Sequence, residues 1–153
     1  MQMAKFIYKM QSLLNIKEKL EEQAKTAYGL ARMTLNEEEA KLAQFIAKKE
    51  QYVEQKRQKM SSSLNVHELT QLEHAIKSMD YRIAEQILVV RQAEKNVQLA
   101  QAKLENAMKE RKIQEKLKEH AFEEFLREME AADQQEINEL VTFRFGKARE
   151  REE

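Results

Sequence analysis

The chain contains no cysteine, no proline and no tryptophan, and only two glycines in 153 residues. Without cysteine there is no disulfide framework and no thiolate metal site. A compact fold of many short elements needs many turns, and turns draw on Gly and Pro. That punctuation is missing. The two glycines, Gly29 and Gly146, are isolated, so no glycine-rich phosphate loop exists. Long apolar runs are missing too. The longest aliphatic run, Ile87 to Val90, is far short of the ~20 residues that span a bilayer. Lys5 and Lys9 are not followed by the unbroken apolar stretch of a secretory signal. The expected location is the cytoplasm.

What is present is charge: 27 basic and 27 acidic side chains, 35 % of the chain, with a formal net charge of zero. Disorder would call for low hydrophobicity and usually a net charge. Here 42 % of residues are hydrophobic, so order is expected. A helix-forming composition with almost no breakers is that of long helices and coiled coils. The fold class is therefore all-α, in one domain. Helix 1 is expected over about 4–60, a turn over Ser61 to Asn65, helix 2 over about 66–145, and a frayed charged tail over 146–153. Asn65 followed by Glu68 resembles a capping box, and Gly146 is placed to end helix 2.

The second tract carries the clearer heptad pattern. Steps of three and four from Leu69 visit Leu72, Ile76, Met79, Ile83, Gln86, Val90, Ala93, Val97, Ala100, Leu104 and Ala107, of which Gln86 alone is polar. A sustained period near 3.5 is a coiled-coil seam. The pattern weakens at Arg111 and resumes through Leu117, Phe122, Phe125, Met129 and Ala132. In the first tract the seam reads Met10, Leu13, Leu20, Ala24, Ala27 and Ala31. It slips near Leu35, just after Gly29, and continues as Leu42, Ile46, Val53 and Met60. A hairpin turning near Ser63 sets the Ala-rich stretch 24–31 against 95–102, itself Ala-rich. Residues 1–60 carry 12 basic and 8 acidic side chains and residues 61–153 carry 15 and 19, so the arms attract each other weakly. About 57 residues of helix 1 make a paired rod of about 85 Å.

The arms are unequal: the expectation is an antiparallel coiled-coil hairpin with helix 2 longer than helix 1. Its overhang is both acidic and apolar. Residues 121–143 hold seven carboxylates and one arginine together with Phe122, Phe125, Leu126, Met129, Ile137, Leu140, Val141 and Phe143. A lone helix cannot bury such a stripe, which reads as a docking surface for a partner, against fraying or homodimer packing. Catalysis and metal binding find little support. His67-Glu68 opens like a zinc-protease motif, but position 71 is Gln. Abundant carboxylates on exposed helices have no pocket to shift their pKa. Zero net charge argues against nucleic acid. No enzyme activity, cofactor, metal or small-molecule substrate is expected.

Several segments together suggest a family. The opening Lys5-Phe6, then Met10-Gln11-Ser12-Leu13-Leu14 before a Lys/Glu-rich helix, resembles the flagellar export protein FliJ. So do the polar turn near residue 62, the stretch Leu72-Glu73-His74-Ala75-Ile76, and the acidic ending Gln135-Glu136-Ile137-Asn138-Glu139-Leu140. The resemblance covers essentially the whole chain. It implies a cytoplasmic part of the flagellar type III export apparatus, serving motility and chemotaxis and peripheral to the membrane through its partners. Proteins of this family look like the stalk of rotary ATP synthases. They associate with the hexameric export ATPase, promote its ring assembly, couple it to the membrane export gate, and have been described as escorts of export chaperones. Carried over by local alignment, the gate-docking surface falls on Phe45, Tyr52, Leu72 and Ala75, while Lys41, Lys48, Glu68 and Met79 depart from the expected residue types. The resemblance to a rotary stalk places the chain ends in the ATPase ring, so Phe122, Phe125, Met129, Ile137, Leu140 and Phe143 are the candidate ring contacts. The competing readings are a stalk of a virulence injectisome and a generic coiled-coil adaptor or tether.

Overall fold

The computed structural model describes residues 5–62 and 65–152, with the side chains of 148, 151 and 152 left aside. It contains two α-helices, α1 over Gln11–Ser62 and α2 over Val66–Glu152. They pack antiparallel as a hairpin with α2 the longer arm. Residues 63 and 64, in the middle of the expected turn, lie outside the described residues.

The ends that flank the turn lie where they were expected, α1 ending at Ser62 and α2 starting at Val66, while the start of α1 and the end of α2 differ for local reasons. α1 starts at Gln11 rather than near residue 4, after a turn closed by Gln11 N–H donating to the Tyr8 carbonyl at 3.2 Å. Before it, Phe6 leaves the helical path to lie against rings on α2. At the start of α2, Asn65 Oδ1 accepts from His67 N–H at 3.1 Å, satisfying one of the helix's orphan donors. Glu68 does not complete the capping box; its carboxylate accepts from Lys59 Nζ at 2.7 Å instead. Gly146 does not end α2, which continues to Glu152, and no glycine among the described residues has positive φ. An interior glycine costs a helix only about 1 kcal/mol against Ala. The cations Lys147 and Arg149 near the C-terminus favour helix through its dipole. Residues 146–152 of the tail expected to fray are therefore helical. α1 likewise passes through Gly29 unbroken.

Contacts cluster in two compact units, Glu21–Asn106, and Met1–Leu20 with Ala107–Glu153. In the first unit the inward positions of α1 fall at Glu21, Ala24, Tyr28, Ala31, Leu35, Glu38, Leu42, Phe45, Lys49, Tyr52, Lys56 and Lys59. This is one uninterrupted 3–4 stepping, with no slip at Leu35. Ala27, Ile46, Val53 and Met60, read above as seam residues, are exposed. The facing positions of α2 are those read from the sequence, Leu69 through Leu104, with Met79, Gln86, Val90, Ala93 and Val97 buried. The core cluster is Leu35, Val90, Ala93 and Val97, packed by Tyr28, Ala31 and Leu42.

The lysines at inward positions near the turn are each paired across the seam. Lys49 pairs with Asp80, Lys56 with Glu73 at 3.3 Å and Lys59 with Glu68 at 2.7 Å. In every pair the cation is on α1 and the carboxylate on α2, as the opposite charges of the arms anticipate. Such half-exposed pairs contribute at most about 1 kcal/mol each, so they set register more than stability. Gln86, the polar residue in the α2 seam, donates through Nε2 to the Glu38 carbonyl at 2.9 Å and to the Glu38 carboxylate. The small residues Ala24, Ala27, Ala31 and Ala100 line one shallow groove with Asn96, Leu99 and Lys103. The Ala-rich stretches do face each other, but Ala27 borders open space.

In the second unit, Leu14 is buried and Lys17 donates to Glu110 at 2.9 Å. The inward positions of α2 continue as Arg111, Gln114, Lys118, Ala121 and Phe125. The stepping does not weaken at Arg111; it passes onto long polar side chains. Leu117, assigned above to the seam, is exposed.

Candidate docking surfaces

In the unit Glu21–Asn106, the proposed gate residues Phe45, Tyr52, Leu72 and Ala75 are all half-buried on the inward faces of the two helices. Phe45 borders an open groove with Arg82, Glu85, Gln86, Leu88 and Val89. Leu88 and Val89 are exposed, and sequence reading passed them over. The signal was present. Ile87 to Val90 is a run of four apolar residues, and at 3.6 residues per turn one face cannot bury all four. At this site Glu38 is held below its ordinary pKa of 4.5, chiefly by the hydrogen bond from Gln86, with Lys41 adding to it and partial burial opposing it.

In the other unit, Phe6 meets Phe122 edge-on, ring centroids 5.2 Å apart at 70°, and Phe125 at 5.4 Å and 49°. Phe122 and Phe125 are therefore partly covered by Phe6 of the segment that precedes α1. Phe6, Leu14, Glu18, Glu115, Lys118, Glu119 and Phe122 line a groove beside this cluster. Met129 is half-buried. Beyond it the character of α2 changes: from Ala131 to Glu150 every described side chain is exposed. Ile137, Leu140 and Phe143 are 53 %, 61 % and 61 % exposed. Of the six candidate ring contacts, the fold thus leaves these three fully available.

The geometry offers docking faces. Among the described residues there is no group of three or more His, Asp or Glu able to hold a metal. No helix among them is long and apolar enough to cross a membrane.

No curated protein matches the chain. Among solved structures, one from Chlamydia trachomatis described as a YscO homolog is similar, with 23 % identity over 88 % of this chain and 90 % of that one and a TM-score of 0.49. The flagellar FliJ protein family matches residues 6–150. That span takes in nearly all of both helices and the uncovered end of α2, and the chain belongs to the FliJ family, coiled-coil proteins of type III export.

Proposed function

We propose that this protein is a non-catalytic stalk of the flagellar export apparatus, binding the hexameric export ATPase through the C-terminal end of α2. The observation that carries this is the exposure of Ile137, Leu140 and Phe143 on a helix end that no described residue covers. An isolated apolar stripe of this kind is stable in water only at a cost, and a partner relieves it. The carboxylates Glu128, Glu130, Asp133, Glu136 and Glu139 along it favour a basic partner surface and an encounter rate that falls with salt. The second contact is the export gate, engaged around Phe45, Tyr52, Leu72 and Ala75. These residues also pack the hairpin, so the open rim at Leu88 and Val89 is the accessible part of that surface. Escort of export chaperones belongs to the same role. Membrane association is peripheral and comes through these partners.

The test is binding of the purified chain to the flagellar export ATPase. Replacing Ile137, Leu140 and Phe143 together by Ala abolishes ATPase binding while helicity is kept. Replacing Leu88 and Val89 by Ser spares ATPase binding and impairs export in cells. Undiminished ATPase binding by the triple variant would contradict the assignment.

A further inference from the structure

We propose that the exposed end of α2 pairs with the same segment of a second copy of this chain, antiparallel, about a two-fold axis passing between Asn138 and Glu139. The stripe is self-complementary in charge. Steps of three and four along the helix visit Glu130, Asp133, Ile137, Leu140, Arg144 and Lys147: two acids, two apolar residues, two bases. These positions share one face of the helix. Antiparallel pairing about that axis sets Ile137 against Leu140, Asp133 against Arg144 and Glu130 against Lys147 of the second copy, each contact occurring twice. A parallel pair would oppose Asp133 to Asp133 and Arg144 to Arg144, which like-charge repulsion disfavours.

The chain leaves these groups available. Glu130, Asp133 and Arg144 make no ion pair with any described residue, the last pair along α2 being Arg127 with Glu123. Lys147 lies over the Phe143 ring, 4.8 Å from its centroid, and makes no ion pair among the described residues either. The last half-buried positions of α2 within its own unit are Phe125 and Met129, and from Ala131 to Glu150 every described side chain is exposed, so the intrachain packing stops short of Ile137 and Leu140. With two apolar residues per chain at its centre, flanked by Leu126 and Val141, the pair is weak and concentration-dependent. Charges at inward positions fix register at the expense of stability.

The inference uses the stripe assigned to the ATPase but does not depend on that assignment, since it is read on the isolated full-length chain by sedimentation equilibrium. The wild-type chain dimerises with rising concentration, and raising salt weakens the dimer. Asp133→Arg and Arg144→Asp each weaken it at least tenfold, by opposing like charges. The double variant, carrying both changes, regains wild-type association because every pair is reversed together. Circular dichroism of the four chains stays the same, as all the altered side chains are exposed. A wild-type chain that is monomeric at every concentration up to the millimolar range would overturn the proposal, leaving the stripe to a different protein. Single variants that associate like the wild type, or a double variant as weak as the singles, would overturn it as well.

Discussion

At the scale of single residues, the seam is specified by a few polar groups whose partners lie on the other helix. Gln86 and Glu38 show this most clearly. An amide in an otherwise apolar stripe would lower stability if left unpaired, and the Glu38 carbonyl and carboxylate receive it. Because Glu38 is held below its ordinary pKa, its ionised form favours the folded state. That contribution is fully present above the unfolded-state pKa, near 4.5, and is lost as pH falls through the lower folded value. Gln86→Leu removes the main donor, so the Glu38 carboxyl titrates at higher pH and less stability is lost on acidification. Carbon-detected NMR titration of the Glu38 carboxyl checks the first outcome; an unchanged midpoint would show that Gln86 is not the cause. The Phe6 contact gives a second expectation at this scale. Phe6→Ala removes two ring contacts, each worth about 0.5–1.5 kcal/mol beyond area burial, and frees the segment before α1. Amide exchange of residues 6–10 should then speed up, while protection around Leu35 stays as it was.

At the scale of elements, α2 was far easier to read than α1. Its inward positions in the unit Glu21–Asn106 are apolar except Gln86, so counting apolar residues at steps of three and four found them. The stepping of α1 is as regular, but Glu21, Glu38, Lys49, Lys56 and Lys59 hold inward positions in it. Counting by apolarity therefore jumped to Ile46, Val53 and Met60 on a neighbouring face and read the jump as a slip. Only the partners across the seam, Asp80, Glu73 and Glu68, reveal the true register. The same blindness hid Arg111, Gln114 and Lys118 in the other unit. The hairpin, the unequal arms and the facing Ala-rich stretches were legible, because they depend on breaker placement and bulk composition. The start of α1 and the end of α2 were not, since Phe6 packing and the continuation of α2 through Gly146 are decided by tertiary contact and by the low cost of one glycine. Two substitutions test the revised register. Leu35, 7 % exposed, contributes to the core and Leu35→Ala should cost about 2–5 kcal/mol. Leu30, 60 % exposed, lies off the seam and Leu30→Ala should change stability by less than about 0.5 kcal/mol. Comparable losses in urea denaturation would return the slip. Gly29→Ala meets nothing within 4 Å of the added methyl and should stabilise α1 by about 0.5–1 kcal/mol.

At the scale of the whole molecule, the proposed ATPase contact falls on a part of α2 whose described side chains take no part in the hairpin's own packing. From Ala131 onward no described side chain is buried, so a chain ending at Glu130 loses the apolar stripe without losing a core residue. The most direct measurement is the rate of ATP hydrolysis by the flagellar export ATPase with the full chain and with the chain ending at Glu130. Melting of the two chains is followed by circular dichroism at equal concentration. The shortened chain should keep the cooperative melting of the hairpin core and fail to stimulate the ATPase as the full chain does. A shortened chain that stimulates the ATPase as strongly as the full chain would show that the stripe beyond Glu130 is not the ring contact, and the stalk assignment of this helix end would be wrong.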